Sequence, residues 1–144
     1  MKTATSCLVG SLLLCLSAAA EEPVLTVPVD GNPLAGRAAF KRLQCSACHR
    51  VLGDADLPEP ISGVPAPVLG GLNAVRTRQE LVLAITRPSH EFAPGFAPAE
   101  NGLSPMRNFS EVMTVRQLAD VVAYLEARQE DPDAEWPKVA PRKE

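Results

Sequence analysis

The chain has 144 residues, with 14 Lys and Arg against 17 Asp and Glu, a net charge of −3, and 46% hydrophobic residues. This mildly acidic balance argues against a nucleic-acid-binding protein, which needs a basic surface. The length suits one compact domain with flanking tails. One Trp, one Tyr and four Phe are few large side chains for a core of this size.

The first 20 residues have the features of a cleaved secretory signal peptide. Lys2 precedes a short apolar run over residues 8–16, and small residues at 17–20 lead to the acidic Glu21. The apolar run is too short to span a bilayer comfortably, so we expect no stable membrane insertion. Cleavage after about Ala20 predicts export to the periplasm.

Cleavage would also remove two of the four cysteines. A lipoprotein signal that modifies Cys15 is the alternative, but Leu14 stands where a small residue is expected before such a cysteine. With Cys7 and Cys15 removed, Cys45 and Cys48 are the only cysteines left. The exported chain would therefore contain no cysteine besides this pair.

A first helix is predicted after residues 21–31, which form an extended lead-in. Asn32 is a good N-cap, and Pro33 suits the first helical position. An apolar stripe then continues to about Gln44. Residues 50–73 contain four prolines and four glycines and are predicted to be a long loop.

Two further helices begin at capping boxes. Thr77 with Glu80 opens the second helix, which ends before Pro88, and a second long loop covers residues 88–112. The third helix begins at another capping box, and its apolar residues repeat at i, i+3, i+4 and i+7 up to about Arg128. The box and the apolar positions are Thr114, Gln117, Leu118, Val121, Val122 and Leu125. Residues 130–144 are predicted to be a disordered charged tail.

Cys45 and Cys48 are two residues apart and directly precede His49, which is the attachment pattern of c-type haem. Each thiol can add to a haem vinyl group, and neutral imidazole offers a lone pair to iron. A redox dithiol needs a preceding strand, which residues 21–44 do not show. Zinc needs four ligands, and beyond the motif only His90 and carboxylates remain. A disulfide would close a short, strained loop, so haem is the favoured interpretation.

A haem with one protein ligand binds gases or peroxide, whereas a haem with two strong ligands transfers electrons. Three side chains can supply the second ligand: His90, Met106 and Met113. Met113 is explained as an apolar staple against Leu118. Ligation by His90 would give the haem a lower reduction potential. Met106 lies in a Pro-flanked loop, and its soft thioether would raise the potential. We expect Met106.

Taken together, these residues resemble a class I c-type cytochrome over about residues 34–127. The resemblance rests on Gly36, Phe40, the motif at 45–49, residues 67–72, the Met106 loop and residues 117–125. It implies an all-α cytochrome c fold, with three main helices and long loops around one covalently bound haem c, in a domain spanning residues 32–129.

The resemblance also implies individual roles. His49 would be the proximal iron ligand and Met106 the distal one. The carbonyl of Pro67 would accept the N–H of His49 and so fix the ring. Leu69 and Leu72 would line the haem pocket.

The resemblance places Tyr124 near the haem pocket as well, where the first and last helices cross. Gly36 and Phe40 would meet it there, with the glycine allowing close approach. Phe40 stands five residues before Cys45, where four is usual, so the first helix should contain a bulge or end early. The loop between residues 49 and 67 is longer than in small mitochondrial-type members.

The expected function is that of an electron carrier with transient protein redox partners and no small-molecule substrate. Two alternatives stay open: an electron-transfer subunit of a periplasmic oxidoreductase complex, and a haem sensor or peroxidase with an open sixth site. Four cations flank the motif: Arg37, Lys41, Arg42 and Arg50. These cations either attract a redox partner electrostatically or, as the preferred interpretation, form a solvated helix face.

Overall fold

A computed structural model describes residues 30–61, 63–71, 75–131 and 133. Within these ranges lie three α-helices, α1 (Pro33–Arg42), α2 (Arg78–Thr86) and α3 (Val115–Glu130), and a 3₁₀ turn at Cys45–Ala47. The same ranges contain no strand beyond an isolated bridge between Val51 and Leu69. The all-α prediction is confirmed. The predicted signal peptide, most of the lead-in and almost all of the tail lie outside the described residues.

Helix α1 begins as the sequence predicts and ends two residues earlier. The side chain of Asn32 caps its first turn by accepting from two backbone N–H groups. The helix ends at Arg42, and Gln44 adopts a left-handed conformation with φ 61°. The early end takes up the additional residue before Cys45, which is one of the two outcomes that the sequence predicted.

Both predicted capping boxes are present. The Thr77 hydroxyl accepts from the Glu80 N–H, and the Glu80 carboxylate accepts from the Thr77 N–H. Thr114 and Gln117 make the same reciprocal pair at the start of α3. Each box satisfies two backbone donors that the first turn leaves without a partner. None of the helices in the described ranges is long and apolar enough to cross a bilayer.

The core lies where α1 crosses α3. A Cβ on Gly36 would overlap the Asp120 carbonyl and press on Tyr124, so only glycine permits this approach. The Phe40 and Tyr124 rings meet edge to face, 5.6 Å between centroids. The Asn32 N–H also donates to Asp120 over 2.7 Å, which fixes the start of α1 on α3. The crossing therefore has the form that the resemblance implied.

Candidate haem site

The two cysteines of the motif lie on a tight turn that follows α1. The carbonyl of Cys45 accepts from the N–H groups of both Cys48 and His49. No disulfide joins the two thiols. Burial raises the pKa of the Cys45 thiol to about 11. A redox dithiol has a lowered thiol pKa and follows a strand, so this half-buried pair, which follows a helix, does not fit that chemistry.

The ring of His49 is held by one backbone contact. Its Nδ1 lies 2.9 Å from the carbonyl oxygen of Pro67, so an Nδ1–H that donates there leaves the Nε2 lone pair for a metal. Burial lowers the pKa of His49, and the bond to Pro67 offsets part of that effect. Burial therefore favours the neutral imidazole, which is the form that binds a metal.

The segment that carries Pro67 is itself fixed on both sides. The Leu69 N–H donates to the Arg50 carbonyl, and the Leu69 carbonyl accepts from the Leu52 N–H, each over 2.8 Å. Two residues later, the Gly71 N–H donates to the Arg128 carbonyl of α3 over 3.0 Å. The acceptor of His49 is thus tied both to the residues that follow His49 and to the last helix.

Of the two leucines expected in the haem pocket, one can be placed. Leu69 is half-buried and packs against the hydrophobic core. Leu72 lies outside the described residues. The hydroxyl of Tyr124, a residue expected in the same region, donates to the Asp54 carboxylate, and its ring contacts Phe40. That hydroxyl therefore ties the loop after His49 to α3.

Sequence reasoning missed a buried polar network at this crossing. The Nε and Nη2 groups of Arg37 donate to the two Asp54 oxygens, each over 2.7 Å, and the Tyr124 hydroxyl donates over 2.6 Å. Burial alone would raise the pKa of Asp54, but the hydrogen bonds from Arg37 and Tyr124 outweigh it and hold this pKa below its ordinary value. Burial and the bond to Asp54 raise the pKa of Tyr124 well above its usual range. The network pins the loop after His49 to α1 and α3.

The interpretation of the four cations as one solvated face is wrong for Arg37. Its guanidinium is 21% exposed and paired with Asp54. Lys41 and Arg42 are exposed at the end of α1, and Arg50 makes a solvent-exposed pair with Glu59 over 2.9 Å. No local pattern in the sequence distinguishes these cases, because the partner of Arg37 is set by the path of the loop.

The three candidate second ligands lie in different surroundings. Met106 and Met113 are half-buried against the hydrophobic core. His90 is exposed, its Nδ1 lies 2.9 Å from the Arg87 carbonyl oxygen, and its Nε2 lies 3.9 Å from Glu91. Within the described part of the chain, no group of three or more His, Cys, Asp or Glu side chains could hold a metal ion. The zinc interpretation therefore finds no support there.

A paired-thiol turn after a helix, a neutral histidine fixed through Nδ1 and an all-α frame define a c-type haem protein, and the residues present fit that group. The model of the cytochrome c family matches residues 34–129. The chain is 32% identical over 116 residues to cytochrome c of Tetrahymena pyriformis, an alignment that covers 74% of this chain and 97% of that relative. No solved structure matches the chain. The chain belongs to the cytochrome c family, whose members bind haem c covalently and carry electrons.

Proposed function

We propose that this protein is a periplasmic electron carrier in which His49 and Met106 bind the haem iron. Cys45 and Cys48 would hold the haem through thioether bonds. When bound, the haem supplies an iron that takes up and releases one electron. The observation that carries the proposal is the bond between His49 Nδ1 and the Pro67 carbonyl, because it orients the ring and reserves Nε2 for the iron.

Burial favours Met106 over His90 as the second ligand. The thioether of Met106 belongs to a side chain that packs against the core. His90 is an exposed residue just beyond α2, and its Nε2 lies 3.9 Å from a carboxylate oxygen of Glu91. Met113 is also half-buried, but it directly precedes the N-cap of α3, where an apolar staple explains it. A His/Met pair would supply two strong ligands to the iron, which suits electron transfer rather than binding of gases or peroxide.

The partner surface would lie beside the motif and bind only briefly. The backbone N–H of Ile61 donates to the Ala47 carbonyl between the two cysteines, while its side chain is 88% exposed. An apolar contact at this point could exclude water beside the haem edge. Lys41 and Arg42, exposed just before the motif, would add long-range attraction to an acidic partner. Transient redox encounters typically use small interfaces.

The first test is the visible spectrum of the ferric holoprotein. We expect a low-spin spectrum with a weak long-wavelength sulfur-to-iron charge-transfer band. Met106→Ala should remove the band, lower the reduction potential and admit external ligands. Met113→Ala and His90→Ala are matched controls that should leave all three properties unchanged.

Other outcomes would redirect the assignment. Low-spin iron without the band, together with a response to His90→Ala, would replace Met106 by His90. High-spin iron in the wild type would support the sensor or peroxidase alternative. Stable co-purification with a dehydrogenase would support the subunit alternative. The periplasmic location is tested by cell fractionation and by sequencing the mature N-terminus, which we expect at Glu21.

A further inference from the structure

A serine just beyond α2 is connected to the loop that carries Met106. The Ser104 N–H donates to the Ser89 hydroxyl oxygen over 2.9 Å, although the two residues are 15 positions apart. The Met106 N–H in turn donates to the Ser104 hydroxyl oxygen over 3.1 Å. These two bonds form a relay from the end of α2 to the backbone of the proposed distal ligand.

Ser89 is a firm attachment point because its segment continues from α2. The Arg87 N–H donates to the Leu83 carbonyl over 2.7 Å at the end of the helix. The Arg87 carbonyl then accepts from the His90 N–H, and His90 Nδ1 lies 2.9 Å from the same oxygen. An Arg78–Glu126 ion pair fastens the start of α2 to α3. Ser89 is itself exposed, but these bonds connect the backbone on both sides of it to the end of α2.

On its other side, the Met106 loop is fixed by Phe109. This ring is buried, and its backbone carbonyl accepts from the N–H groups of Val112 and Met113 just before α3. The guanidinium of Arg107 lies 5.3 Å from the ring centroid. Met106 thus lies between two attachments, Phe109 towards α3 and the Ser89–Ser104 relay towards α2.

We infer that Ser89 is a positioning residue for the distal ligand: its hydroxyl holds Ser104, and through it Met106, in the closed loop conformation. The inference rests on the proposed ligation by Met106. The family resemblance supplied no role for the segment around Ser89. The hydrogen bond between Ser104 and Ser89 gives it one. Pro105, between Ser104 and Met106, has a restricted φ, so a displacement of Ser104 is passed on to Met106.

The test uses the ferric holoprotein and imidazole as the competing ligand. Imidazole can bind only after the distal ligand has left, so its apparent affinity reports the population of the open loop. Ser89→Ala removes one intramolecular hydrogen bond and should raise that affinity about two- to tenfold. Ser89→Thr keeps the hydroxyl and should restore the wild-type value. Asn101→Ala is the matched control, because it removes a side-chain bond to Leu103 in the same loop that does not reach α2.

Amide hydrogen exchange provides a readout that is independent of the iron. Exchange at Ser104 should become faster in Ser89→Ala and stay unchanged in Asn101→Ala. Faster exchange without tighter imidazole binding would overturn the inference, since Ser89 would then hold the loop without positioning the ligand. Equal imidazole affinities in Ser89→Ala and Asn101→Ala would also overturn it. A wild-type spectrum without the charge-transfer band would refute the ligation by Met106 itself, and the inference with it.

Discussion

The Asp54 carboxylate offers the sharpest test of what holds the loop after the haem motif. Its side chain is 3% exposed and accepts two bonds from Arg37 and one from Tyr124. Asp54→Asn keeps the size of the side chain and removes its charge. The variant leaves the Arg37 guanidinium facing a neutral amide that cannot accept at both positions.

The expected loss in the free energy of unfolding can be set from the geometry of the Arg37–Asp54 pair. Removing one partner of a buried ion pair costs about 3–5 kcal/mol. Water still reaches Arg37, whose side chain is 21% exposed, so the cost should fall at the lower end, at about 3 kcal/mol. Asp56 is the matched control: it lies 3.4 Å from the same guanidinium but is 79% exposed. Asp56→Asn should change the free energy of unfolding by less than about 0.5 kcal/mol.

The assay is urea unfolding of the holoprotein followed by circular dichroism between pH 7 and pH 3. The folded-state pKa of Asp54 lies below its ordinary value of 3.8, so the ionised carboxylate stabilises the fold above that value. This contribution is lost as the pH falls through the lower, folded-state pKa. The difference between the wild type and Asp54→Asn should therefore be constant from pH 7 to about pH 4 and should narrow below it.

Two results would refute this reasoning. One is an Asp54→Asn variant as stable as Asp56→Asn at pH 7, which would mean that the buried pair contributes nothing. The other is a stability difference that grows as the solution is acidified, because the sign of the pKa shift requires the opposite.

Two further predictions concern the helix crossing and the partner surface. Gly36→Ala should lower the free energy of unfolding by at least about 2 kcal/mol despite the better helix propensity of alanine, because the new Cβ would overlap the backbone of α3. Thermal unfolding checks this against Gly63→Ala, whose Cβ meets no atom within 4 Å; equal effects of the two changes would contradict it. Ile61→Ser should slow electron self-exchange between ferrous and ferric copies about three- to tenfold, measured by NMR line broadening, because it removes an apolar contact beside Ala47. Val115→Ser, at a side chain that is 62% exposed on α3, is its control and should leave the rate unchanged; the partner surface would be wrong if both variants slowed exchange equally.

The sequence predicted features that depend on neighbouring residues. A capping box is made by side chains three positions apart, so Thr77 and Thr114 marked the starts of α2 and α3 without any knowledge of the fold. The haem motif is contiguous for a similar reason, because its two thiols and its histidine must reach one porphyrin. The contact between His49 and Pro67 spans 18 residues and was anticipated only through the family resemblance.

By itself, then, the sequence determined the helix starts and the haem motif, because their physics is local to a few residues. The tertiary structure alone decided that Arg37 pairs with Asp54 while neighbouring cations stay exposed, and that Asp54 meets Tyr124 across 70 residues. It also decided that Ser89 holds Ser104. These contacts depend on the paths of two long loops, and those paths follow from how α1, α2 and α3 pack rather than from any local propensity.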